Sequence, residues 1–138
     1  MNPLVTIIFK MIDEYEKLDP RECAEEYAEN TRKIVQDLAE NNPIALVVAG
    51  MSLNEDLCLL KSVPAGGYPV TQESKDLLVE KGILLANIAN QDPKQMKNKF
   101  LLLAHTCPDQ EMMDDALRSA DQRISELLAE ASCQMGQA

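Results

Sequence analysis

An Asn or Asp residue stands directly before proline at four places in the chain. An Asx side chain accepts a hydrogen bond from a free N–H in the first turn of a helix, and proline fits the first helical position because its missing N–H is not needed there. Glu22 and Gln95 follow two of these Asx residues at the spacing of a capping box. The sequence therefore predicts four helix starts, at Asn2-Pro3, Asp19-Pro20, Asn42-Pro43 and Asp92-Pro93.

Apolar residues recur every three or four positions after most of these starts, which is the spacing of one face of a helix. The pattern predicts a first helix from Pro3 to about Leu18, a second over residues 20–40 and a last over residues 109–132. Two more helical segments cover residues 72–90 and 93–106. Gly82 is a candidate helix break within residues 72–90.

Residues 44–63 are the ambiguous part of the chain, because their apolar side chains do not follow a single period. The proline at position 43 favours one central, fully buried helix with a break near Asn54. The sequence thus predicts an all-α fold, a compact bundle of five or six helices. The alternative is an α+β fold in which residues 44–63 form a hairpin.

The length of 138 residues is typical of one domain. We expect a single helical domain over residues 1–132 and a disordered tail over residues 133–138. Tryptophan is absent and aromatic residues make up only 4% of the chain, so the core has to be built from aliphatic side chains and Met. This composition argues against an aromatic-rich sandwich or barrel.

The spacing of the cysteines and the length of the apolar runs indicate the cellular compartment of the protein. The four cysteines are far apart and form no Cys-x-x-Cys pair, and the apolar N-terminal segment lacks the basic region of a signal peptide. No run reaches the roughly 18–20 apolar residues that span a bilayer. These features predict a cytoplasmic protein in a reducing environment that does not bind a membrane.

The formal net charge is −10 at pH 7, which repels phosphate backbones and anionic surfaces. We therefore expect no direct nucleic-acid binding. A protein partner with a basic surface fits this charge. Lysines offset the acidity on one predicted helix, where they would lie against an acidic neighbour or dock a partner: Lys94, Lys97 and Lys99.

Four glutamates form an acidic stripe on the second predicted helix, at spacings of three, four and seven residues: Glu22, Glu25, Glu26 and Glu29. Carboxylates from two helices hold Mg²⁺ in all-α nucleotide pyrophosphohydrolases, and Glu111 and Asp114 are candidates for the second helix's contribution. A solvated helix face explains the stripe equally, with Arg21–Glu25 and Glu29–Lys33 as ordinary ion pairs. We favour the solvated face, and predict no metal and no cofactor.

Other candidate chemistry is weaker. Cys107 precedes Pro108, and a helix starting at that proline would lower the thiol pKa through its dipole. No oxyanion donor or third catalytic partner accompanies it, so no catalytic residue is assigned. The Gly66-Gly67 pair is not followed by the Lys-Ser/Thr of a phosphate-binding loop, so it predicts a turn. Tyr68 beside it is a candidate partner contact.

These observations favour a small acidic helical regulator, adaptor or inhibitor without catalytic activity, which binds a basic protein surface through Glu22, Glu25, Glu26, Glu29 and Tyr68. The alternatives are a Mg²⁺-dependent nucleotide pyrophosphohydrolase and an inhibitor that mimics nucleic acid. A homodimer is a further expectation, because the first helix is apolar over more than half of its surface.

Overall fold

The chain is helical almost throughout the part that the computed structural model describes, residues 2–136, with side chains described to Cys133. These residues form no strand. The all-α prediction is confirmed, and the hairpin alternative for residues 44–63 is wrong because a helix covers this segment. The helices are α1 (Pro3–Leu18), α2 (Ala24–Asn41), α3 (Pro43–Lys61), α4 (Gln72–Ile88), α5 (Pro93–Thr106) and α6 (Gln110–Gly136).

The helices form two compact units, Met1–Pro64 and Ala65–Ala138. In the N-terminal unit each of α1, α2 and α3 packs on the other two. Lys61 at the end of α3 pairs with Glu14 near the end of α1 at 2.7 Å, so α1 and α3 run parallel. Their buried side chains form an aliphatic core with one tyrosine: Val5, Ile8, Ile12, Tyr15, Ala28, Val35, Leu46, Leu53, Leu57 and Leu60.

In the C-terminal unit α4 packs on both α5 and α6. Gln110 at the start of α6 donates to the Ser74 hydroxyl near the start of α4 at 2.9 Å, and Lys81 of α4 pairs with Asp121 of α6. The helices α4 and α6 therefore also run parallel. Leu78, Ala104 and Met113 form the buried centre of this unit.

Three of the four predicted Asx-Pro starts are confirmed. Asn2, Asn42 and Asp92 each accept a hydrogen bond from a first-turn N–H, at 2.9, 3.2 and 3.0 Å. The fourth start is wrong, because α2 begins only at Ala24 and its N-cap, Cys23, makes no side-chain capping bond. The carboxylate of Asp19 is engaged by Arg21 instead, as described below.

Gly82 does not break the helix, since α4 is continuous from Gln72 to Ile88. The residue is buried where α5 crosses α4. A Cβ atom placed on Gly82 would lie 2.5 Å from Cγ of Phe100, which is closer than atoms in contact can approach. Glycine is therefore required here by packing and not by a turn.

Helix α3 is unbroken at Asn54 and only one side of it is buried, so the prediction of a fully buried, broken helix is wrong. Leu46, Gly50, Leu53, Leu57 and Leu60 face the core. The opposite side is exposed, and from Ile44 to Met51 it is apolar. Within residues 2–136, α3 is the one helix whose length and composition would allow it to cross a membrane, and 28% of its apolar segment is buried in the structure. Core helices of soluble proteins can have the same length and composition.

The two units meet in the chain at the loop between α3 and α4, where Gly66 and Gly67 both adopt a φ of +86° that other residues rarely take. The single domain over residues 1–132 stays a prediction. Helix α6 continues to Gly136 and includes most of the segment predicted as a tail, and residues 137 and 138 lie outside the described part.

Candidate functional site

The four glutamates of the predicted stripe are all exposed, and we call them the α2 acidic face. Glu25, Glu26 and Glu29 lie in α2, whereas Glu22 lies in the turn before it. The predicted pair between Glu29 and Lys33 is confirmed, at 3.6 Å. Among the described residues, the other three glutamates form no ion pair.

The turn that leads into α2 is held by a buried ion pair. Arg21 donates through Nε and Nη2 to the two carboxylate oxygens of Asp19, at 2.8 and 2.6 Å, and the two side chains are 4% and 0% exposed. The backbone N–H of Arg21 also donates to Asp19, at 3.0 Å. The sequence interpretation paired Arg21 with Glu25 on the helix surface; the structure places Arg21 before the helix and turns it inward onto Asp19.

Two tyrosines enclose this guanidinium. Its carbon lies 4.4 Å from the ring centroid of Tyr27, and Nη2 donates to the Tyr15 hydroxyl at 3.3 Å. The two rings stack with centroids 5.6 Å apart. Burial raises the pKa of Tyr15, against the opposing effect of the Arg21 charge, so its hydroxyl stays protonated.

The charge of Arg21 is fixed in this setting. Burial alone lowers the pKa of the guanidinium, but its hydrogen bond to Asp19 and the negative charge of that carboxylate outweigh the effect of burial, so the pKa lies above its ordinary value. On α3, burial and the neighbouring Glu55 raise the pKa of Asp56, and the positive charge of Arg21 partly offsets this rise.

This buried cluster anchors the start of α2 and thereby sets the direction in which the α2 acidic face points. Sequence reasoning missed it, because it treated Asp19 as a helix cap. One signal was available: two of the chain's three tyrosines lie within twelve residues of each other on either side of an Asp-Pro-Arg segment.

A metal site does not assemble on the predicted residues. Within the described part of the chain, no three His, Cys, Asp or Glu side chains come close enough together to hold a metal ion. Glu111 and Asp114 lie on α6, and the Asp114 carboxylate accepts a hydrogen bond from Gln110 at 3.0 Å. The Mg²⁺ site on the α2 acidic face stays a prediction, and the described residues provide no set of ligands for it.

Cys107 does not precede a helix start at Pro108. Helix α6 begins at Gln110, and Asp109 caps it by accepting from the N–H of Met112 at 2.8 Å. Cys107 packs half-buried against the centre of the C-terminal unit, and its thiol donates to the Asp109 carbonyl at 3.6 Å. Tyr68 is likewise half-buried, in the loop between α3 and α4.

Charges on α6 are more fully engaged than those on α2. Asp121 pairs with Lys81, Asp115 with Arg118, and Glu126 with Arg123. Arg118 pairs with Asp115, three residues before it, and not with Asp114, which lies four residues before it. On α5 the predicted basic residues are all exposed and, in the part of the chain described, form no ion pair: Lys94, Lys97 and Lys99.

In comparisons with known proteins, no family model, no curated protein and no solved structure matches this chain.

Proposed function

We propose that the protein is a non-catalytic binding protein whose α2 acidic face docks a basic surface of a partner protein. The observation that carries the proposal is a group of three exposed glutamates that lie together at the start of α2 and lack an ion pair within the described residues: Glu22, Glu25 and Glu26. Carboxylates without an internal cation are available to a cationic partner, and they raise the association rate by electrostatic steering.

Several carboxylates on α6 are less available to a partner. Asp115, Asp121 and Glu126 already pair with Arg118, Lys81 and Arg123, so a partner would have to displace those side chains. The α2 acidic face is also held in place, because the buried ion pair between Asp19 and Arg21 fixes the turn at the start of α2. A rigid, preorganised surface loses less entropy on binding than a mobile one.

The proposal is tested by titrating the protein with a lysine-rich amphipathic helical peptide and following backbone amide NMR shifts. We expect the largest shifts at Glu22–Glu29 and a Kd that rises steeply between low and physiological salt. Substituting Glu25→Gln together with Glu26→Gln should raise the Kd about fivefold to tenfold at low salt, the equivalent of roughly 1 kcal/mol.

The matched control removes the same charge from α6, as Asp115→Asn with Glu126→Gln. This variant should change the Kd by less than about twofold, since the two carboxylates belong to the C-terminal unit and already pair with Arg118 and Arg123. Equal losses of affinity in the two variants, or shifts spread evenly over α2 and α6, would show that only net charge matters and would refute the assignment.

A further inference from the structure

An uncharged apolar surface lies on the N-terminal unit, away from the α2 acidic face. From Pro43 to Asn54, α3 carries no charged residue. Four of its side chains point away from the core and are spaced as one helix stripe: Ile44 is 79% exposed, Val47 47%, Val48 60% and Met51 63%.

Helix α1 extends this stripe. Ile7, which is also more than half exposed, lies about two turns before Glu14 on the same side of α1, and Glu14 reaches across to Lys61 of α3. Val47 lies about four turns before Lys61 on the same side of α3. Ile7 therefore borders the stripe, and together the five residues form what we call the α1–α3 apolar face: Ile7, Ile44, Val47, Val48 and Met51.

We propose that the α1–α3 apolar face binds the same face of a second copy of the chain, in a dimer whose two-fold axis runs parallel to α1 and α3. Such an isologous contact uses one patch twice, and its centre is depleted of charge as dimer interfaces are. The proposal concerns a different surface from the α2 acidic face and does not depend on the proposed function.

Charge complementarity at the rim supports a second copy. In this arrangement α1 of one copy lies over α3 of the other, so the outer edge of α1 meets the outer edge of the opposite α3. Lys10 lies on the outer edge of α1, and Glu55 lies on the outer edge of α3. Neither residue forms an ion pair among the described residues.

Lys10 and Glu55 also lie at similar heights along the parallel helices α1 and α3. Ile8 lies beside Gly50, with Cδ1 3.1 Å from the position of a Cβ on that glycine, so Lys10 lies near the level of Ser52. Glu55 is about one turn, roughly 4.5 Å, further along. A lysine side chain spans that offset, and the symmetry forms the pair twice.

A lipid surface fits this face less well. Helices that lie in a membrane interface carry Lys or Arg along their polar side, whereas the polar residues in the middle of α3 are neutral or acidic: Ser52, Asn54, Glu55 and Asp56. The net charge of −10 adds repulsion from anionic headgroups.

The test is sedimentation equilibrium of the full chain over a wide concentration range. We expect twice the mass of the chain at high concentration, and a dimer Kd raised at least about tenfold by Val48→Arg, which places an unpaired charge in the interface. Ile34→Arg is the matched control, because Ile34 on α2 is 57% exposed but lies off this face; its Kd should stay within about twofold of the parent. Circular dichroism checks that each variant is folded.

The two-fold arrangement is tested by charge exchange. Lys10→Glu should weaken the dimer, and adding Glu55→Lys should restore it. A monomer at all concentrations, a dimer that survives Val48→Arg, or an exchange that restores nothing would each overturn the proposal. So would a monomer that floats with phosphatidylcholine vesicles in a Val48-dependent manner, since lipid would then occupy the face.

Discussion

Gly82 lies in the interior of α4, where the Phe100 ring of α5 occupies the space that a side chain would need. An added Cβ would lie 2.5, 2.6 and 2.9 Å from three atoms of the ring. In an unobstructed helix, replacing glycine with alanine stabilises by about 0.5–1 kcal/mol. Here the ring, which is held by its own packing, has to move.

Forcing an extra methyl group into a packed contact costs about 1–3 kcal/mol. The cost exceeds the gain in helix propensity, so Gly82→Ala should lower the free energy of unfolding by up to about 2 kcal/mol. Urea unfolding followed by circular dichroism measures the total change in the free energy of unfolding. Amide hydrogen exchange in α4 shows whether the loss is confined to the C-terminal unit.

Gly50→Ala is the matched control, because Gly50 is also a buried glycine within a helix. The nearest atoms to its added Cβ are Cδ1 and Cγ1 of Ile8, at 3.1 and 3.3 Å, which belong to an aliphatic side chain and not to a rigid ring. A shift of a few tenths of an ångström relieves the contact, so this variant should be as stable as the parent or more stable by up to about 1 kcal/mol.

A double-mutant cycle isolates the ring as the cause. Phe100→Leu removes the atoms that meet the new Cβ, so it should cost less stability in the Gly82→Ala background than in the parent, with a coupling of about 1–2 kcal/mol. Additive effects, or a Gly82→Ala variant more stable than the parent, would refute the packing argument.

Three further predictions concern the N-terminal unit. Arg21→Ala leaves Asp19 buried without its cation and should cost about 3–5 kcal/mol of unfolding free energy, whereas Arg32→Ala, which breaks a more exposed pair with Asp13, should cost at most about 1 kcal/mol. The pKa of Asp56 is raised in the folded state, so its ionisation destabilises the fold above its ordinary pKa; Asp56→Asn should be stabilising at pH 7, with the difference disappearing below about pH 4. Thermal shift with Mg²⁺ and a nucleotide panel should show no stabilisation.

Each of these predictions has an outcome that contradicts it. Equal costs for Arg21→Ala and Arg32→Ala would mean that the buried pair contributes no more than a surface pair. A destabilised Asp56→Asn at pH 7 would show that attraction to Arg21 outweighs burial. Stabilisation by Mg²⁺ that is lost on Glu25→Gln would support the hydrolase alternative.

Local signals predicted the helices well, because a helix start is decided within a few residues. Asn2, Asn42 and Asp92 cap the helices that they were predicted to cap. Asp19 differs because Arg21, the next residue but one, competes for its carboxylate, and the resulting pair is buried against Tyr15 and Tyr27, which contact the guanidinium through a hydrogen bond and a cation–π interaction. Such burial depends on two helices packing together and cannot be deduced from one segment.

The exposed side of α3 was unpredictable for a related reason. Its apolar residues surround the helix almost evenly, so the sequence does not indicate which side meets the core. The direction is set by α1 and α2, which cover only the side of Leu46, Leu53 and Leu57. The α2 acidic face, in contrast, was predictable in part, since charged residues at helical spacing lie on the solvent side in most helices.

The division into two units also bears on how the chain acquires its structure. Each three-helix unit draws its packing from one continuous half of the sequence, so few of its contacts have to wait for distant segments to meet. Helical units with such local contacts fold within microseconds to milliseconds, whereas synthesis adds roughly 5–20 residues per second. We therefore expect the first three helices to pack on the ribosome before the last three are complete, and a nascent chain in which α1–α3 stay protease-sensitive until synthesis ends would contradict this order of events.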